Sequence, residues 1–305
     1  MAENMQELKR RMKSIESTEH ITNAMRLVSA SKYKKAKNIF DKTDKQLSAV
    51  SSAIEKTIAE ALASMSAAAD SAEGEGFLFL GHAGTSETGK DSEKQGKTIL
   101  IALTSDRGLC GGFNANIDRQ VVSCTEGIPK EKLEIFSIGS KGRDFFEHNG
   151  YTIIGDYIGA PEKITFADAE KIAEPIIEKC RNGETAQVLL VYTRYVNSLK
   201  QEPVVKKLIP LDTDAFSKTN EDMEFFPQPK EILEYMIPKY FELTLFKTII
   251  ESAACEHAAR RTAMESATDN ANDMLSKLSL TYNRVRQAAI TNEIIEIVSG
   301  SEPQN

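Results

Sequence analysis

Glycine and proline are missing from both ends of this 305-residue chain. None of the 17 Gly or 9 Pro falls between Met1 and Glu73, and none between Lys239 and Ser299. Gly300 and Pro303 aside, every one lies between Gly74 and Pro238. Inside a helix Gly costs about 1 kcal/mol and Pro about 3 kcal/mol relative to Ala. Two breaker-free ends therefore predict two very long helices, far beyond the usual ~11–12 residues. Cysteine is scarce too. Cys110, Cys124, Cys180 and Cys255 form no C-x-x-C pair and no disulfide framework, which suits a reducing compartment. No run approaches the ~20 apolar residues of a membrane span. The opening MAENMQELKRRMKS has no apolar core of the secretory kind. The expectation is a soluble intracellular protein that reaches a membrane only through a partner. The net charge of −7 gives no overall case for nucleic-acid binding.

Periodicity fills in the ends. Met5, Leu8, Met12 and Ile15 step by threes and fours. The apolar seam thins over Glu16–His20 and returns at Met25 and Val28, then Leu47, Val50, Ile54, Ile58, Ala61 and Met65. Near the other end Ala271, Leu275, Leu278, Tyr282, Val285 and Ala289 step 4-3-4-3-4. These heptad spacings favour a left-handed coiled coil. A long helix with a narrow seam is unstable alone in water. Pairing the two arms antiparallel, with the middle of the chain as connection, is the economical solution. Pairing with another protein is the alternative. The expected division is a helix over 1–69, a linker over 70–97, an α/β domain over 98–230 and a second helix over 231–305.

The middle changes period. Segments 98–106, 132–139 and 187–195 read as buried strands, with a possible short strand at Phe77–Leu80. Asn114–Cys124, Lys141–Asn149 and Thr165–Asn182 have helical lengths. This alternation implies a small domain with a mainly parallel sheet.

Candidate chemistry is thin. Gly84–Asp91 is one residue short of the phosphate-loop pattern, with Asp91 where a Mg²⁺-binding hydroxyl belongs. The Thr104–Phe113 turn follows the first strand, where α/β domains often bind ligands; its glycines equally suit a tight turn. Cys255, Glu256 and His257 are consecutive, and on a helix they cannot converge on one ion. No hydrolytic or metal-site spacing occurs. From Met5 to Lys42 ten Lys/Arg stand against four acids, a basic face for an acidic protein or for nucleic acid. There is little aromatic interleaving for base stacking. The C-terminal turns carry Ile290, Ile294, Ile295, Ile297 and Val298, an apolar tip that either packs on the middle domain or needs a partner socket. A coiled-coil adaptor on nucleic acid and a nucleotide-binding enzyme are the competing classes.

Several segments carry a family resemblance: IESTEHITNAMRLVSASKYKKAK (15–37), TSDRGLCGGFNANI (104–117), IGSKGRDFF (138–146), EHAARRTAMESATDNA (256–271) and LSLTYNRVRQAAITNEIIEIVSG (278–300). In this order and over nearly the whole chain, the sequence resembles the gamma subunits of F-type ATP synthases. The resemblance implies an antiparallel two-helix coiled coil of the terminal helices with a small Rossmann-like central α/β domain. It implies a rotor turning inside a ring of alpha and beta subunits, with a foot on epsilon and the membrane c-ring. Catalytic residues would belong to beta, so no active site, cofactor or metal is expected here, nor nucleic acid or direct membrane insertion. The chain would sit peripherally on the cytoplasmic face of a bacterial cell membrane. Met25, Arg286, Gln287 and Thr291 match positions facing the beta subunits. Ile294, Ile295, Ile297 and Val298 would sit in the upper sleeve of the ring. Asp106, Arg107 and Gly108 match a turn read as structural. The scattered cysteines lack the close pair of plastid members, so thiol control is not expected.

Overall fold

In a computed structural model of the chain, residues 2–68, 96–159, 161–211, 226 and 228–300 are described. The suggested strand at Phe77–Leu80 and the Gly84–Asp91 loop lie outside them. Both terminal helices are present. Helix α1 covers Ala2–Ala68, 67 residues without a break. Between them lie β1 (Lys97–Leu103), α2 (Phe113–Cys124), β2 (Leu133–Ile138), α3 (Ser140–His148), β3 (Thr152–Tyr157), α4 (Phe166–Arg181), β4 (Thr185–Tyr195) and β5 (Gln201–Ile209). Helix α5 covers Pro229–Gly300, 72 residues. It opens on a proline, which tolerates the first helical position because its missing N–H has no partner there anyway.

The chain divides into two compact units. One joins Met1–Ser31 to Arg260–Asn305; the other is Lys32–Ala259.

In the larger unit the sheet order is β3-β2-β1-β4-β5. Strand β1 pairs in parallel with β2 and β4, β2 in parallel with β3, and β5 runs antiparallel on β4. The central strand is apolar on both faces because helices cover both. Leu100 and Ala102 face Ile117 and Val121 of α2 and Phe146 of α3. Ile99, Ile101 and Leu103 join the core built with α4, α1 and α5. Helix α4 starts with a capping box, Thr165 and Asp168 bonding each other's backbone N–H. At the N-terminal edge of β2, buried Glu134 takes Lys97 and Lys179, each at 2.7 Å. Lys247 reaches Asp44 at 2.8 Å and Ser48 at 2.9 Å, while Tyr240 meets Glu55. As α1 ascends, α5 descends, so the helices are antiparallel. From Tyr240 to Ala258 α5 is buried on nearly every side.

Two strands escape the sequence reading. In β3, Gly155 weakens the strand signal, yet a Cβ there would lie 2.7 Å from the Phe136 ring. Strand β5 contains Pro203, Lys206 and Lys207, a composition that suits only an edge, which is where it lies. The expected helices in the middle segment are all present, each within about two residues of its expected ends.

In the smaller unit the seam is continuous. On α1 the seam steps through Met5, Leu8, Met12, Ile15, Glu19, Thr22, Arg26 and Ser29, with Asn23, Met25 and Ala30 half-buried at its edges. On α5 it steps through Met264, Thr268, Ala271, Leu275, Leu278, Tyr282, Val285, Ala289 and Asn292, with Arg261, Ala263, Ala267 and Ser279 half-buried beside it. Both alternate threes and fours. Where apolar residues thin out, Glu19 and Thr22 carry the seam, and Thr268 donates to Thr22 at 2.9 Å.

Candidate partner-binding surface

Two surfaces on the smaller unit stand out, and a turn in the larger unit drops out.

The turn after β1 sits where a doubly wound sheet reverses direction, the usual ligand crevice. Here the protein's own groups fill it. Asp106 Oδ1 accepts the Ser140 N–H at the start of α3 (3.0 Å), and Oδ2 accepts the Gly159 N–H (3.1 Å). An anion at this helix N-terminus would have to displace a carboxylate. Asn114 Oδ1 accepts the Ser105 N–H at 2.9 Å, and its amide donates to Ser105 Oγ at 2.8 Å. Thr104 Oγ1 accepts the Gly142 N–H at 2.9 Å. The D-R-G turn is a clamp between strand ends. Cys255, Glu256 and His257 are buried in α5. Burial pushes the Cys255 thiol far up, which leaves it a packing residue rather than a nucleophile. Among the described residues no cluster of three His, Cys, Asp or Glu side chains suits a metal ion.

The first surface surrounds Met25. The sequence reading places Met25 and Val28 in the buried seam. The structure leaves Met25 half-buried and turns Val28 outward at 59% exposure, with Ile21 at 58%. Ile21, Met25 and Val28, at i, i+4 and i+7, form one apolar strip that runs from half-buried Met25 at the edge of the seam onto the exposed face of α1. The seam runs past it through Thr22 and Ser29. Sequence spacing could not separate the two, because an apolar strip beside a polar seam has the same period as an apolar seam. Val50, also expected in the seam, is exposed. Lys9, Arg10, Arg11 and Lys13 are exposed further toward the N-terminus.

The second surface is the end of α5. Its seam stops at Asn292. The Thr22–Thr268 bond fixes the antiparallel register, so Ala289 lies level with the start of α1. Beyond it Ile294, Ile295, Ile297 and Val298 are each more than half exposed. Here α5 has outrun its partner helix α1. Arg286 and Gln287 are exposed on this stretch, and exposed Thr291 donates to the Gln287 carbonyl at 2.9 Å. By the same register Met25 lies level with about residue 265, so some 30 Å of helix separates it from Arg286. The structure gathers Arg286, Gln287, Thr291 and the tip, and leaves Met25 a separate site.

Residues 4–303 match the family described as ATP synthase. The chain belongs to the ATP synthase gamma-chain family. The sodium-ion-specific ATP synthase gamma chain of Acetobacterium woodii is 37% identical, with all of both chains covered. The gamma chain of Pelotomaculum thermopropionicum is 39% identical over 98% of each. The fold matches a chain of the Euglena gracilis mitochondrial ATP synthase, a structure of OSCP, F1 and c-ring, with a TM-score of 0.66 at 18% identity, covering 98% of this chain and 94% of that one. A chain from the central stalk and c-ring of the Tetrahymena thermophila enzyme gives 0.55 at 21%, over 81% and 99%. As a gamma chain, this protein is a subunit of its complex rather than the catalytic chain. No described helix is long and apolar enough to cross a membrane.

Proposed function

We propose that this gamma chain is the central-stalk rotor of an F-type ATP synthase at the cytoplasmic face of a bacterial membrane. Its partners are the alpha and beta subunits around the paired helices, and epsilon and the c-ring at the α/β foot. Ion flow turns the c-ring, the ring turns the foot, and the helix pair carries that rotation to the beta sites. Hydrolysis runs the sequence backwards. The observation that carries this reading is the tip: an apolar helix end that runs past its own partner helix requires a socket from other chains. Met25 with Ile21 and Val28 is the lower contact with the beta subunits, and Arg286, Gln287 and Thr291 are the upper one. Ile294, Ile295, Ile297 and Val298 are the bearing surface. The exposed basic residues of α1 favour an acidic segment on the ring.

Two experiments test it. A cysteine at Gln287 should cross-link to a beta subunit in a preparation that hydrolyses ATP; a cross-link to no ring subunit overturns the upper contact. Met25→Lys puts a charge into the lower apolar strip. The complex should assemble and hydrolyse ATP, with ion pumping per ATP clearly reduced in membrane vesicles. Normal pumping would remove Met25 from the site.

A further inference from the structure

The sheet face away from α1, α4 and α5 carries a feature that rotation does not use. Between α2 and α3 opens a cavity of about 720 Å³. Val122, Ile128, Leu133 and Phe145 give it an apolar wall, with Tyr151 beside them. That volume falls within the ~300–1,000 Å³ typical of small-molecule sites.

Asp118 lines the same cavity, and its Oδ1 is buried with no hydrogen-bond partner. Two cations stand at the rim, and each is engaged elsewhere. Arg119 donates to the Ala115 carbonyl at 3.1 Å and to Asn116 Oδ1 at 2.6 Å. Lys130 donates to the Asn149 carbonyl at 2.7 Å and lies over the Tyr151 ring at 4.7 Å. A desolvated carboxyl with an unfilled acceptor is costly until a donor is supplied. Burial alone raises it to about 6, so near neutral pH it is mostly an anion in an apolar setting.

We propose that this groove binds a small amphipathic organic cation, its ammonium or guanidinium head donating to Asp118 and its apolar body lying against Val122, Ile128 and Phe145. An anion would add charge to an unpaired carboxylate, and a neutral apolar molecule would leave the acceptor unfilled.

The full-length chain at pH 7.5 can be titrated calorimetrically with three probes of one shape: 4-phenylbutylammonium, 4-phenylbutanol and 4-phenylbutyrate. The ammonium should bind one to one with Kd of about 1 mM or tighter, given its size. The alcohol should bind about tenfold more weakly, the worth of a charge-assisted hydrogen bond, and the carboxylate weaker still. Asp118→Asn should lower ammonium affinity about tenfold and leave the alcohol unchanged. Val122→Trp, which fills the groove, should abolish all three. Equal binding of the three probes, an ammonium affinity indifferent to Asp118→Asn, or no saturation at about 10 mM overturns the proposal.

The same carboxyl predicts a stability profile without any ligand. Its folded value lies above that of an unfolded Asp, so the folded state holds the proton more tightly. The stability it contributes is full below about pH 4 and is lost as pH rises through about 6. Asp118→Asn should therefore raise the urea midpoint at pH 8 and not at pH 4. An unchanged difference between the two pH values would refute the assignment.

Discussion

Gly139→Ala should destabilise the central sheet by about 3 kcal/mol or more and sharply reduce soluble yield. Gly139 has φ +99°, a backbone conformation that L side chains rarely adopt. A Cβ there would stand 2.4 Å from the Thr104 carbonyl oxygen, 2.7 Å from its carbon and 2.8 Å from Thr104 Oγ1. Neither backbone atom can retreat, because Thr104 N–H is bonded to Ile138 O at 2.7 Å and Gly139 N–H to Tyr157 O at 3.0 Å. Gly142 gives an informative contrast. Its added Cβ would meet Thr104 Oγ1 at 2.7 Å, Thr104 Cγ2 at 2.8 Å and Ser137 Oγ at 3.0 Å, all side-chain atoms. Thr104→Ala should therefore restore more of the stability lost in Gly142→Ala than of that lost in Gly139→Ala, where the Thr104 carbonyl clash and the positive φ remain. Urea midpoints of the singles and doubles give the coupling directly. Equal rescue in both backgrounds would mean that the Thr104 backbone is not the obstacle.

Ala271→Asp should melt the helix pair of the smaller unit. Ala271 is buried in the α5 seam, and the Thr22–Thr268 bond sets Glu19 across from it. The Glu19 side chain is only 15% exposed. A second carboxylate would be poorly solvated and opposed by a like charge, at a cost of about 3 kcal/mol or more. Ala271→Lys adds more bulk but the opposite sign, on a stem long enough to carry the ammonium to solvent, and should still be much milder. Hydrogen exchange over residues 15–29 and 264–278 reads the effect: strong loss of protection for Asp, little for Lys. Equal loss for both would make bulk, not charge, the controlling property.

These two positions show what could be read in advance. The arms were legible because a missing residue class over some seventy positions is a robust signal. The seam from Ala271 to Ala289 was legible because its members are apolar and evenly stepped. From Glu16 to Ser29 the seam uses Glu19, Thr22, Arg26 and Ser29, whose polarity hides it, while Ile21 and Val28 advertise a face that points outward. Strand β1 announced itself by being apolar on both sides. Strand β3 did not, because Phe136 demands a glycine in its middle, and β5 did not, because an edge tolerates Pro203 and two lysines. The clamp at Asp106 was visible only as a glycine-rich turn; its partners Ser140 and Gly159 are 34 and 53 residues away in sequence. The Asp118 groove had no sequence signal, since a solitary acid on a helix is commonplace until its surroundings are known.

The burial of α5 from Tyr240 to Ala258 has a mechanical consequence. A cylinder wedged on most sides by α1, α4 and the strand layer cannot slip about its own axis without tearing Glu251 from the Tyr195 N–H, which it holds at 2.9 Å. Helix and sheet are thus keyed like an axle in its hub, and any twist applied to the one is inherited by the other without backlash.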